Sequence, residues 1–222
     1  MKEITTAELF REECPLIDKL LRESRYPWEI IPKIKEYATA LTLHGIAGYT
    51  LLKDGVLVGE GVTIHPSAVI EGPCIIGSYT EVRPNAYIRG SVIIGERCVI
   101  GNSTELKNSV LMDRVQVPHY NYVGDSVLGC GSHMGAGAVC SNLKSDKSRV
   151  IIHADEDIDT GLVKLGAILA DGAEIGCGCV LNPGTVVGRN TSVYPLTLTR
   201  GVYPPDSIVK DTHTVVKRKN DR

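Results

Sequence analysis

Two cations and a histidine are the residues of this sequence whose types and spacing invite chemistry. Arg89 and Lys107 stand 18 residues apart. Two positive side chains held on neighbouring turns of a regular structure, about 5 Å from each other, repel unless an anion lies between or in front of them. A sugar phosphate would serve, and a guanidinium suits its bidentate recognition. The other reading is a pair of solvated surface charges. His119 follows within a Tyr-rich stretch, His119-Tyr120-Asn121-Tyr122-Val123-Gly124-Asp125. Imidazole titrates near neutrality and can accept a proton at physiological pH. Taken alone, a loop histidine more often has a surface or capping role.

The elements that must position these groups are written in the rest of the chain. Its 222 residues are 43% hydrophobic yet only 5% aromatic, with one Phe, one Trp, nine Tyr and 23 Gly. A core short of rings and rich in small branched residues implies thin repeated layers. From Val58 the sequence repeats every six residues, with an aliphatic start at Val58, Ile64, Ile70, Ile76, Val82, Ile88, Ile94, Ile100 and Leu106, and with small residues such as Ala68, Thr80, Ala86, Cys98 and Thr104 fifth. The register resumes at Leu169 and runs through Ile175, Leu181, Val187 and Val193. This resembles the hexapeptide repeat of the left-handed parallel β-helix, in which three units make one triangular coil and each first residue stacks inward on residues 18 positions away. Arg89 and Lys107, second in their units, then fall on one face, one coil apart.

Two features break the repeat. One is a pair of five-residue units, Met112 to Gln116 and Val123 to Val127, flanking Val117 to Tyr122; the other is the charged stretch from about residue 141 to 164. Irregularity in a strict solenoid marks candidate sites. Residues 1–50 read as a helical cap, with helical apolar spacing from Leu9 to Leu21 and again after Pro27. Its Phe10 and Trp28 are expected to cover the open edge of the first coil. The solenoid is expected over 51–209 and a tail over 210–222.

The segments Gly101 to Asn108, His119 to Asp125 and Met134 to Asn142 together resemble the acetyltransferase half of the bifunctional glucosamine-1-phosphate acetyltransferase/UDP-N-acetylglucosamine pyrophosphorylase family, and Asp159 to Ile168 resembles its archaeal-type sugar-phosphate nucleotidylyltransferase members. The resemblance spans roughly residues 60–200. It implies a homotrimer with sites between neighbouring prisms, acetyl-CoA as acyl donor and an amino-sugar 1-phosphate as acceptor, glucosamine 1-phosphate first. His119 is implied as the general base. Arg89, Lys107, Tyr122, Asn142, Lys147 and His133 are implied for the acceptor, with His133 standing where the bacterial pattern has Asn. Ser141, Gly135, Ala136 and Lys164 are implied for the donor, with Ser141 or the amides of Gly135 to Gly137 as oxyanion donors. His119 and His133 lack a His-x4-His spacing, so no metal is expected. The seven Cys contain no CxxC pair and read as reduced apolar fillers, Cys140 included.

The net charge of -2 argues against bulk binding to nucleic acid or an anionic membrane. No apolar run reaches about 18 residues, which points to a cytoplasmic protein. Only about fifty helical residues precede the repeat, too few for a uridylyltransferase half, so no pyrophosphorylase activity is expected. The rival expectation is a non-catalytic subunit that binds a sugar nucleotide or assembles with a separate nucleotidyltransferase.

Overall fold

A computed structural model describes residues 4–218. The repeat folds as a mainly β, left-handed parallel solenoid of about 9 turns. Its three faces hold sheets of nine, nine and seven strands among the described residues. In chain order, Val56–Val58 starts the first face, Thr63–Ile64 the second and Val69–Ile70 the third; Cys74–Ile76 then pairs in parallel on Val56–Val58. The inner wall follows from the period: Ile70, Ile76, Val82, Ile88, Ile94, Ile100 and Leu106 are buried in one core with the later unit starts. Each such aliphatic side chain contributes about 1.5–3 kcal/mol through burial. The fifth positions also point inward, and their hydroxyls are satisfied by backbone: Thr80 Oγ1 donates to Gly95 O (2.9 Å) and Thr104 Oγ1 to Val117 O (3.0 Å).

The placement of one short unit differs from the sequence reading. Val110 lies opposite Ile93 and Leu111 opposite Ile94, 17 residues on, so the five-residue unit runs from Leu106 to Val110 and not from Met112 to Gln116. Leu111 belongs to the inner core, while Met112 packs outward. The second short unit does run from Val123 to Val127, with Leu128 next inward.

Met112 can point outward because the first face is buried on both sides. The outward residues Ile75, Ile93, Val110, Val127, Ile168 and Val186 form a second core with Leu9, Phe10, Ile17, Trp28, Ile30, Ile31 and Ile34. The helices α1 (Thr6–Leu9), α2 (Asp18–Arg22) and α3 (Ile34–His44), with the 3-10 turn Pro27–Lys33, therefore lie across this face rather than over the edge of the first coil. That edge is paired by the antiparallel strand Thr50–Lys53. At the far end Val215–Lys217, within the expected tail, turns back antiparallel on Ser207–Val209. An antiparallel edge strand interrupts the stacking register and blunts pairing with other chains.

The charged stretch leaves the solenoid between Cys140 and Leu169 and carries the hairpin Ile151–His153/Asp157–Asp159. Val150, Ile152 and Leu165 anchor it to the second core. Gly184, at φ +81, gives it room: a Cβ there would meet Val150 Cγ1 at 2.7 Å. Among the described residues no helix is long and apolar enough to cross a membrane.

Candidate functional site

Both five-residue units turn the same corner, from the third face to the first. Leu106-Lys107-Asn108-Ser109-Val110 turns at Asn108 (φ 46), and Val123-Gly124-Asp125-Ser126-Val127 turns one coil later at Asp125 (φ 48). Asn and Asp tolerate the left-handed region better than other side chains, which suits them to a corner made with one residue less.

At this corner the expected acceptor residues meet. Asp125, its side chain 6% exposed, accepts from Lys107 Nζ at 3.3 Å, Asn108 Nδ2 at 2.8 Å and Asn142 Nδ2 at 2.5 Å. The Asn142 amide also donates to Tyr122 Oη at 3.1 Å. Gly124 makes this crossing possible, because a Cβ there would collide with the Tyr122 hydroxyl and the Asn142 amide. Burial, then the Asp125 charge, then Glu105 push the Tyr122 hydroxyl above its usual pKa, with the Asn142 hydrogen bond opposing the shift, so the ring acts as a neutral hydroxyl.

Arg89 lies one coil before Lys107, as Ile88 pairs with Leu106. The expected mutual repulsion is already relieved within the chain: Arg89 Nη1 pairs with Glu105 Oε1 at 2.7 Å, over the Tyr87 ring, and Lys107 pairs with Asp125. An anion is therefore not required to hold the two cations together.

His119 ends the strand Gln116–His119 on the second face, just before the corner that leads to Tyr122. Its backbone is fixed at both ends, the N–H donating to Asn121 Oδ1 (3.1 Å) and the carbonyl accepting from Gly137 N–H (3.0 Å). Buried Asn121 is anchored in turn by Nδ2 bonds to Gly135 O and Ala138 O. The His119 side chain is exposed and its imidazole has no hydrogen-bond partner among the described residues. Gly101 supports this strand, since a Cβ there would strike the Pro118 carbonyl.

The other expected residues fall away from the cluster. His133, on the second face, holds Glu174 Oε2 through Nδ1 at 2.9 Å. Lys147 and Lys164 are exposed on the excursion, and neither side chain bonds to the corner. The amides of Gly135 and Gly137 are committed to Ile175 O and His119 O. Gly135 and Gly137 therefore cannot serve as amide oxyanion donors; Ala136, exposed between them, and the Ser141 hydroxyl have no such commitment among the described residues.

Ser141 faces a cavity of about 320 Å³ between the third face and the excursion, lined also by Lys144, His153, Asn182 and Arg200. Arg200 Nη2 donates to His153 Nε2 at 2.9 Å, and His153 Nδ1 lies 2.9 Å from Asp157 Oδ1. Neither Arg200 nor Lys144 is ion-paired to a carboxylate among the described residues. Asp125, Arg200 and Lys144 were not singled out by sequence reasoning. Asp125 had a visible signal, as it sits in a five-residue unit beside His119, whereas Arg200 lies 36 residues beyond Lys164 and gives none. No group of three or more His, Cys, Asp or Glu among the described residues is placed to hold a metal ion.

Fold and corner together define a hexapeptide-repeat β-helix with a polar cluster at its tightened edge. The family model of the GMPPB C-terminal domain matches residues 70–163. The "Bifunctional protein GlmU" of Methanococcus aeolicus is 32% identical over 199 residues, covering 87% of this chain and 48% of that protein. The "Bifunctional sugar-1-phosphate nucleotidylyltransferase/acetyltransferase" of Sulfurisphaera tokodaii is 35% identical over 96 residues, 43% of this chain and 24% of that protein. The chain thus spans about half or less of the length of these curated relatives. Among solved structures, a mutant form of AntD, an N-acyltransferase from Bacillus cereus in complex with dTDP and coenzyme A, aligns with a TM-score of 0.42 at 17% identity, over 78% of this chain and 92% of that one. The chain is thus similar in sequence to these bifunctional proteins and folds as a left-handed parallel β-helix.

Proposed function

We propose that this chain is an acyltransferase that moves acetyl from acetyl-CoA to the amine of an amino-sugar 1-phosphate, with glucosamine 1-phosphate as the leading acceptor. The observation that carries the reading is the joined cluster of Lys107, Asp125, Asn142 and Tyr122, together with an exposed, unengaged His119 imidazole that precedes Tyr122 by three residues in the same coil. Lys107, with Arg89 one coil before it, supplies cations for the phosphate; Tyr122 and Asn142 supply directional groups for the sugar. The amine attacks the thioester carbonyl as His119 accepts its proton. The tetrahedral oxyanion draws on donors such as the Ser141 hydroxyl, and its collapse expels the thiolate. Arg200, bonded to His153, and Lys144, bonded to Ser148 Oγ and Arg149 O, have neutral partners rather than a paired carboxylate among the described residues, and in the adjoining cavity they suit an anionic donor whose acyl end reaches Ser141.

A homotrimer is part of the reading. In ladder register the outward positions of the third face run Val69, Tyr87, Glu105, Tyr122, Val139, Val180 and Leu198, with exposed apolar pairs at the two ends, Val69 with Tyr87 and Val180 with Leu198. A second copy of the chain packed there would enclose the corner.

The direct test is thiol release from acetyl-CoA with glucosamine 1-phosphate and galactosamine 1-phosphate as acceptors. Turnover with at least one is expected, and none with either would leave the non-catalytic subunit as the standing reading. Light scattering showing a monomer would remove the shared site.

A further inference from the structure

Asp125 gathers more of the corner than any other side chain there, yet the chemistry above assigns it no role. Its two carboxylate oxygens accept from three donors on two other segments: Lys107 and Asn108 from the preceding coil, and Asn142 from the start of the excursion. Its backbone is held as well, with its N–H on Lys107 O (2.9 Å) and its carbonyl accepting from Gly166 N–H (2.8 Å). A carboxylate oxygen can only accept, so the contact at Asn142 fixes which end of that amide faces inward. The Nδ2 end is spent on Asp125 and Tyr122, and Oδ1 has no partner among the described residues. Lys107 is likewise held by its ammonium group rather than left to sample rotamers.

We infer that Asp125 is a positioning residue for the phosphate-bearing acceptor: it sets the pose of the Lys107 ammonium and the orientation of the Asn142 amide, leaving Asn142 Oδ1 to accept from the sugar and Lys107 to reach the phosphate. The assignment rests on the function proposed above. The tightened corner is the structural means. With one residue removed at this corner in each of two successive coils, Asn108 and Asp125 occupy equivalent turn positions one coil apart, and the carboxylate bonds back to the coil before it.

The test compares full-length wild type, Asp125→Asn and Asp125→Ala by steady-state kinetics with both substrates varied, and by calorimetric binding of glucosamine 1-phosphate. The expected result is a tenfold or greater rise in KM and Kd for the amino-sugar phosphate, with KM for acetyl-CoA changed less than twofold. In a Lys107→Ala/Asn142→Ala background, Asp125→Asn is expected to add nothing, because the residue acts through those two. Equal rises for both substrates, or full additivity in that background, overturn the assignment in favour of a merely structural carboxylate. Should the Asp125 variants fail to fold, Asn108→Ala loosens one oxygen only; a two- to fivefold rise in the sugar-phosphate KM is expected, and no change overturns the assignment. Normal wild-type turnover with unchanged Asp125→Asn constants removes this inference alone. A wild type that neither acetylates nor binds any amino-sugar 1-phosphate removes the proposed function and this inference with it.

Discussion

Two ion pairs on successive coils of the third face show how one deleted residue changes a surface. The unit of Arg89 has six residues and turns through Gly90 and Ser91, both left-handed. Its guanidinium pairs with Glu105, and both side chains keep at least a third of their surface in water, 42% and 34%. The unit of Lys107 has five residues and turns on Asn108 alone; its ammonium pairs with a carboxylate that is 6% exposed. The chemistry of the pairs is alike, a cation with a carboxylate. The shorter turn draws the second pair inward, where Asp125 also takes hydrogen bonds from two amides. An exposed pair contributes little to stability, while a buried one penalises the loss of either partner. The preceding coil thus offers a solvated cation and the next a held one.

The largest expected effect tests whether the coil that carries the tightened corner is the working one. His119→Ala is expected to lower thiol release from acetyl-CoA by about 10²–10⁴-fold, the usual contribution of a positioned base. An unchanged rate would move the chemistry elsewhere. Next, the pairs can be compared directly by chemical denaturation. Lys107→Ala should destabilise by about 2–3 kcal/mol, somewhat under the figure for a fully buried pair because Lys107 keeps a quarter of its surface in water (26%). Arg89→Ala should leave the midpoint almost unmoved, and equal losses would erase the contrast. Gly124→Ala pushes a methyl group toward the Tyr122 hydroxyl and the Asn142 amide, an overpacking expected to cost about 1–2 kcal/mol and to raise the acceptor KM; a silent variant would show that the crossing relaxes freely. The smallest effect contrasts inner wall and outer corner: a thiol reagent at pH 8 should modify Cys177 alone quickly, since it is exposed and the other six Cys are buried. Burial pushes Cys140 up to about 12, so almost no thiolate forms there at that pH. Rapid reaction of a second thiol would mean that the prism opens.

Much of the fold was legible because a solenoid writes its core in the sequence. Ile70 to Leu106 and Leu169 to Val193 stack in the predicted register, as the narrow prism accepts one small branched residue per side. Legibility failed at Leu111 and Met112, two adjacent apolar residues. Period counting assumes that outward positions are polar, and the helical layer makes the first face apolar on both sides, so the pattern there loses its alternation. The same layer explains Phe10 and Trp28, whose rings fill the wide space over a sheet instead of the edge of a coil. At the corner, Lys107, Tyr122 and Asn142 were found by their motif and come together. His133 was found by the same motif but faces Glu174, because its place on the second face turns it from the cluster.

By itself, then, the sequence determined the period, the inward residues of the regular coils, the two breaks in the repeat and the motif around His119. These are local properties, fixed by side-chain size and by spacing along one chain. The tertiary structure decided which corner is shortened, which carboxylate each cation takes, which amides are already spent within the solenoid, and that Asp125 ties three segments together. Those depend on residues brought side by side from 16 or more positions away, where the stacking of coils, and not the order of residues, sets who meets whom.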